Sequence, residues 1–377
     1  HCAAVAADLG VPFASVKVSV ARDSGLGLEG AAREARYAAL EGLMGAGELL
    51  LTAHHGDDQL ETLLLRLMRG TGVRGLRGVL EHVPFGAGRL ARPLLGVTRA
   101  QIAARARHWG LKWLEDPAND DPHHDRSFLR RDVVPALVAR WPAAARGAQR
   151  LAEQMTDAEA ILDTVAERDA EPIADPSRVP RAVLAPLPPA RQRNLLRHLL
   201  RRVALAIPSA QKAEELRCAL LDARPGAQTR ILWSGGEGRV FREHLYFMRA
   251  LPPASPADYR ARLDKVTGWS GPEGKLRFGP AATAAGLPES WLDAGLEVRF
   301  RAGGEAFRPL DRPHSHPLKR WFHDAAVVPW MRSRIPLLYR GDTLVAVADL
   351  WLSHAVTAAA SGEPRWTVSW THHPPTH

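Results

Sequence analysis

The residues best equipped for chemistry fall in one run, Thr52-Ala53-His54-His55-Gly56-Asp57-Asp58-Gln59-Leu60-Glu61-Thr62. Asp58 and Glu61 are three positions apart, so both carboxylates leave the same side of a first helical turn. Such a pair suits either a magnesium ion held through oxygen or acceptance of a proton from an attacking amine. Acids in a first turn also favour the helix dipole by about 0.3–1 kcal/mol, which explains many a lone Asp-x-x-Glu. Two aspartates, a glutamate and His55 packed into one junction argue for function over capping alone. The adjacent pairs His54-His55 and His123-His124 are poor zinc ligands, because neighbouring histidines seldom reach one metal and no ligand spacing recurs.

A junction like this faces a ligand when a strand ends and a helix begins at the carboxyl edge of an open α/β sheet. Glu48 to Ala53 is an apolar run of strand length, and Leu60, Leu63, Leu64 and Leu67 recur as one buried helix face stopped by Gly70. Upstream, Val11 to Val20 alternates like a strand, and Leu28 to Met44 reads as a helix with Arg33 and Arg36 on one face. Downstream, Thr98 and Gln101 make a capping box, Trp109-Gly110 ends that helix, and Leu111 to Leu114 is again strand-like. Alternating strands and helices predict an α/β fold with a mainly parallel sheet over residues 1–142. Beyond Trp141-Pro142, Ala143 to Ala170 and Ala190 to Leu205 predict a helical domain over 143–250. Turn residues make 251–290 a linker, and short alternating runs with a helix near Leu318 to His323 predict a small α+β domain over 291–377.

With 377 residues there is room for two or three domains, and only two cysteines, Cys2 and Cys218, which excludes a disulfide framework and suits a reducing cytoplasm. No apolar run reaches the ~20 residues that cross a bilayer, so no membrane role is expected. The net charge of +9, carried mostly by arginine, favours a polyanion as partner. Gly70-Thr71-Gly72-Val73-Arg74-Gly75 matches a dinucleotide fingerprint only formally, since a helix rather than a strand precedes it. Arg126 and Arg130, four apart, share a helix face suited to phosphate or to solvent. Near the C-terminus, Lys319, Arg320, Arg332 and Arg334 are interleaved with Trp321 and Trp330, which suit either RNA contact or a core.

In their order these motifs resemble the tRNA(Ile)-lysidine synthetase family of PP-loop ATP pyrophosphatases. The matching residues are Leu28-Glu29 to Tyr37, His55-x-Asp57-Asp58-Gln59-x-Glu61-Thr62, Arg69-Gly70-x-Gly72, Arg92-Pro93-Leu94-Leu95, and Glu115-Asp116 through Asn119 to Asp125-Arg126-x-Phe128-Leu129-Arg130. Val298-Arg299-Phe300, Lys319-Arg320-Trp321, Val328-Pro329-Trp330 and Pro336 to Tyr339 resemble the family's last domain. The resemblance implies a PP-loop (adenine nucleotide alpha hydrolase-like) domain that uses ATP and Mg2+. It implies adenylation of the first anticodon cytidine of tRNA(Ile) with a CAU anticodon, then displacement of AMP by free L-lysine. Asp58, Glu61, His55 and Arg126 would be catalytic, with Asp58 and Glu61 also holding the metal. Arg33, Arg36, Asp57, Arg92, Asn119 and Arg130 would bind substrate. Two departures stand out: the family's Ser-Gly-Gly-x-Asp-Ser ATP loop does not occur, Ser234-Gly235-Gly236 lacking its context, and Ser127 stands where asparagine is usual. The expectation is therefore a catalytic domain truncated at its N-terminus and inactive alone. A non-catalytic tRNA binder and a related PP-loop tRNA-modifying enzyme are the alternatives, and a homodimer stays open.

Overall fold

A computed structural model describes residues 1–21, 27–114, 125–222, 229–263, 265–282, 285–358, 362–374 and 376. It divides into two compact units, His1–Leu162 and Asp163–His377.

The first unit contains α1 (Cys2–Asp8), α2 (Gly27–Leu43), β1 (Leu49–Leu51), α3 (Gly56–Met68), α4 (Val73–Leu76), β2 (His82–Phe85), β3 (Gly88–Ala91) and α5 (Arg99–His108). It continues with α6 (Asp125–Phe128), one π-helical turn (Leu129–Val133), α7 (Val134–Arg140) and the start of α8 (Ala144–Ala170). Strands β1 and β3 are parallel, with Leu50 opposite Leu90, and β2 adds an antiparallel edge to β3. The β2–β3 hairpin turns at Gly86, whose φ of +52° is left-handed. Leu60 and Leu63 of α3 pack with Val134 of α7 and Ala148 of α8, and Leu64 joins them at the margin. Leu67, expected on the same face, is exposed because that cluster ends a turn earlier.

Two expected strands do not form. Residues 11–21 pair with no strand among the described residues, and Val11, Phe13, Val16 and Val18 are exposed. Residues 111–114 likewise form no strand, with Leu111, Trp113 and Leu114 exposed. Alternation states which side chains would share a face; a partner strand and a core must still supply the stability.

The second unit opens with β4 (Arg178–Pro180), α9 (Arg181–Leu184), α10 (Pro189–Arg202), α11 (Ala210–Leu221), β5 (Arg230–Trp233), β6 (Gly236–Phe241) and β7 (His244–Met248). The helical reading of 143–250 thus missed an antiparallel sheet, ordered β4-β7-β6-β5. Ser234-Gly235 is the turn of its β5–β6 hairpin. Period-two alternation on β7 sends Leu245 and Phe247 into a core with Leu199 and Leu216, and Tyr246 and Met248 into a second core farther along the chain.

That second core belongs to β8 (Arg260–Leu263), β9 (Trp269–Gly271), β10 (Gly274–Pro280), β11 (Leu287–Pro288), α12 (Glu289–Ala294), β12 (Leu296–Arg299), β13 (Ala306–Phe307) and β14 (His316–Pro317). With them are α13 (Leu318–Asp324), β15 (Leu337–Arg340), β16 (Thr343–Val347), β17 (Trp351–Leu352) and β18 (Arg365–Thr371). The stretch 251–290 is therefore no linker: β8 pairs with β12, and β10 pairs with β18, placing Leu276 opposite Trp370. Trp321 and Trp330 pack against the core, and Arg334 turns inward toward Glu273. Lys319 and Arg320 remain exposed on α13.

Candidate functional site

The end of β1 and the start of α3 form the junction that the sequence singled out. His55 is the N-cap, extended at φ −130° and ψ 179°, and its backbone N–H donates to Asp58 Oδ2 at 2.9 Å. Asp58 is therefore at once a helix cap and an acid. Asp57 looks the other way: its Oδ2 accepts from the backbone N–H of Arg99 at 2.7 Å, in the first turn of α5. Gly56 fits because a Cβ there would come within 3.1 Å of the Val97 carbonyl oxygen. The His55 ring lies between the two aspartates, Nδ1 3.5 Å from Asp57 Oδ2 and Nε2 3.6 Å from Asp58 Oδ2.

Arg130, on the π-helical turn, reaches back across 69 positions to Glu61. Its Nε and Nη2 donate to Glu61 Oε1 and Oε2 at 2.8 and 2.9 Å, and Nη2 also reaches Asp58 Oδ1 at 3.2 Å. The hydrogen bond to Glu61 raises the Arg130 guanidinium further above its ordinary range. The Glu61 side chain is 1% exposed, against 13% for Asp58. Arg130 is thus a partner of the acids rather than a free phosphate ligand. It sits where a cation shared by Asp58 and Glu61 would sit, and no three His, Cys, Asp or Glu converge as metal ligands among the described residues. A magnesium ion held by this pair does not fit that arrangement.

Cations gather around His54, next to the acids. Arg126 donates from Nη2 to Thr62 Oγ1 at 3.0 Å, while its buried Nε finds no hydrogen-bond partner among the described residues. Arg92 is buried, donates from Nη1 to the Leu80 carbonyl at 2.6 Å, and likewise keeps an unmatched Nε. Arg33 stacks on Tyr37 at 4.8 Å and Arg36 on the same ring at 5.7 Å. Asn119 lies outside the described residues.

Three contributors were given no site role by the sequence: His54, discounted as a zinc ligand, Gln59, seen only as part of a motif, and Arg66. His54 accepts or donates at 2.9 Å with Thr52 Oγ1. Burial, then the Arg92 charge, lowers its pKa from 6.5 to about 4; Arg33 and Arg126 push the same way and Asp58 opposes them. Arg66 donates to the carbonyls of Gly75 and Gly78, at 2.5 and 2.7 Å, and burial plus Arg33, Arg77 and Arg126 lower its pKa. Gln59 is buried and holds the same loop, its Oε1 accepting from Val79 N–H at 2.6 Å. The Gly70–Gly78 loop is therefore fastened from α3. A signal for His54 existed in its position one residue before the N-cap, but its arginine neighbours come from distant segments.

The lowered His54 pKa has a testable sign. A base whose folded pKa falls below its unfolded value resists protonation in the fold, so its stabilising contribution is complete above pH 6.5 and is lost as pH falls toward 4. His54→Gln should flatten the pH dependence of the melting temperature across that interval. Thermal melts of parent and variant from pH 7.5 to 4 check this, and parallel curves would refute it.

The junction is an acid pair bridged by Arg130, with Arg126 3.8 Å from Glu61 and with Arg33 and Arg92 acting on the neighbouring His54, a pattern suited to a substrate rich in phosphate. Family models agree in outline: residues 1–137 match a PP-loop domain, 180–246 a TilS substrate binding domain, and 296–370 a TilS substrate C-terminal domain. The chain is 41% identical to the tRNA(Ile)-lysidine synthase of Alkalilimnicola ehrlichii over 360 residues, 95% of this chain and 80% of that protein. It is 40% identical to the enzyme of that name from Xanthomonas campestris over 354 residues, 93% of this chain and 79% of the relative. The Pseudomonas aeruginosa protein of that name is 39% identical over 393 residues, covering 100% of this chain and 83% of its own. No helix among the described residues is long and apolar enough to cross a membrane. Three domain matches in sequence order, and relatives aligned along nearly the whole chain, place it in the tRNA(Ile)-lysidine synthase family.

Proposed function

We propose that this chain is the ligase that joins free L-lysine to C2 of the first anticodon cytidine in tRNA(Ile) with a CAU anticodon, through an adenylated base. The observation that carries this reading is the arginine group, Arg33, Arg92 and Arg126, set around His54 beside the strand-end acid Asp58. In the first step the cytidine C2 oxygen attacks the α-phosphorus of ATP and pyrophosphate leaves. In the second, the lysine ε-amine attacks C2, AMP departs with the C2 oxygen, and the amine gives up a proton. The unmatched Nε donors of Arg126 and Arg92 suit the charge that builds on phosphate oxygens. Any magnesium would enter with the nucleotide phosphates.

Both acids were candidates for the proton acceptor, since a lysine amine near pKa 10.4 is not nucleophilic while charged. Glu61 has both oxygens committed to Arg130, and its burial leaves an incoming amine no approach. Asp58 is more open and shares Arg130 only through its longer contact, so the proton passes to Asp58 and Glu61 acts by positioning.

Asp58→Asn is therefore expected to lower lysine transfer by roughly 100-fold, the usual scale for a lost acid–base group. The capping contribution of Asn is similar to that of Asp, so the fold should be retained. The assay is incorporation of labelled lysine into a tRNA(Ile) transcript with ATP. It is run on the 377-residue chain and on the same chain preceded by a relative's ATP-loop segment. Transfer at the parental rate by Asp58→Asn removes Asp58 from the mechanism, and transfer by neither parental protein overturns the function.

A further inference from the structure

Helix α5 buries none of its residues, although it lies one hydrogen bond from the junction through Asp57 and Arg99. Its end is well defined. Gly110, at φ +65°, donates to the Arg107 carbonyl, and Leu111 N–H donates to the Ala106 carbonyl, both at 3.0 Å. These two bonds make a Schellman motif, which fixes the residue just before the glycine. That residue is Trp109, 64% exposed, with the Arg105 guanidinium 5.3 Å from its ring centre. Beside it opens a cavity of 750 Å3 lined by Leu94, Val97, Gln101, Ile102, Arg105 and Trp109. Leu111, which also lines it, is exposed, as is Trp113 two residues farther along the chain.

Exposed indole normally marks a contact surface, and charge says of what kind. From Arg99 to Leu114 the chain carries Arg99, Arg105, Arg107, His108 and Lys112 and no acid at all. An apolar face meant for a second protein copy would gain nothing from unbroken positive charge, since the copy would bring the same charge to the interface. Single-stranded RNA needs this combination: aromatic faces on which bases stack, with cations for the backbone between them.

We infer that Trp109, backed by Arg105 and the adjoining cavity, is a stacking platform for unpaired bases of the RNA loop whose cytidine reacts at the β1–α3 junction. The inference rests on the proposed function and adds where the neighbouring nucleotides lie. Ten helical residues separate Arg99 from Trp109, a span of roughly 15 Å at ~1.5 Å per residue. That span equals about four stacked nucleotides at ~3.4 Å each, within one loop. A paired stem has no free base faces to offer, so the platform reads single-strandedness rather than sequence.

The test is filter binding of the full chain to two labelled RNAs, a hairpin bearing the CAU anticodon loop and a fully paired duplex with the same stem. Trp109→Ala is expected to weaken hairpin binding about tenfold and leave duplex binding unchanged, while Trp109→Phe, which keeps an aromatic face, retains most of the affinity. Because Trp109 is exposed, the melting temperature should not move. Equal losses on both RNAs, or hairpin binding unchanged, would overturn the platform. So would a parental dimer that Trp109→Ala converts to a monomer in sedimentation, for the surface would then belong to a second copy. A parent that transfers lysine while Trp109→Ala binds the hairpin normally refutes the platform alone, whereas a parent that ignores the hairpin refutes the functional reading as well.

Discussion

Glu61→Leu should destabilise the first unit by about 3 kcal/mol, the low end of the range for removing one partner from a buried ion pair. The low end applies because Arg130 keeps 29% of its side chain exposed and recovers some hydration once its partner is gone. Arg130→Met should cost a similar amount by leaving the Glu61 carboxylate, which is 1% exposed, without its hydrogen-bonding partner and with only Arg126, 3.8 Å away, as counter-charge among the described residues. The double substitution should be markedly milder than the sum, because an apolar pair of similar volume leaves nothing buried and unmatched. Hydrogen exchange of the α3 and α7 peptides under mild denaturant reads the change locally, without mixing in the second unit. Strict additivity would show that the pair contributes no coupling, and Glu61 would return as a candidate for chemistry rather than position.

Arg126→Met should act in the opposite sense, with a small effect on stability and a large one on rate. Its Nη2 bond to Thr62 is a single partly buried contact, and its Nε lies 3.8 Å from Glu61 Oε2, too far for a strong hydrogen bond. What it contributes is a positive charge with an unused donor beside His54. Loss of one such group facing developing phosphate charge typically costs 100- to 1000-fold, so about that loss is expected in adenylation, read as labelled pyrophosphate exchange into ATP with tRNA present. Exchange within tenfold of the parent would assign Arg126 to structure. The protein used is the one that shows lysine transfer in the parental assay.

The sequence revealed this site to the extent that its parts are local. First-turn acids, a leucine stripe and a stop glycine all lie between Asp57 and Gly70, so α3 and its acids were legible, as was the Thr98–Gln101 capping box that the structure shows at α5. The partner of Glu61 was not, because Arg130 is 69 positions away and its spacing to Arg126 suited phosphate equally well. His54 could not be told from His55 by type; only the fold brings Arg33, Arg92 and Arg126 around it. Residues 251–290 were misread because the glycines that suggested a linker are the hairpin glycines of a sheet. A Cβ at Gly268 would lie 2.1 Å from the Leu276 carbonyl oxygen, and Gly274 sits at φ +121°. Val11 to Val20 failed in the reverse direction, since alternation survives in sequence whether or not a neighbouring strand pairs with it.

The arginines around His54 also bear on the order in which substrates arrive. Free lysine carries a net positive charge at neutral pH, and Arg33, Arg92 and Arg126, whose charges already hold down the His54 pKa, repel a second cation there. Under the proposed reaction the phosphates of nucleotide and RNA add to Asp58 and Glu61 in offsetting that charge. If the proposed reaction holds, lysine binding should be strengthened by prior binding of nucleotide and RNA, so that the amine meets an activated base.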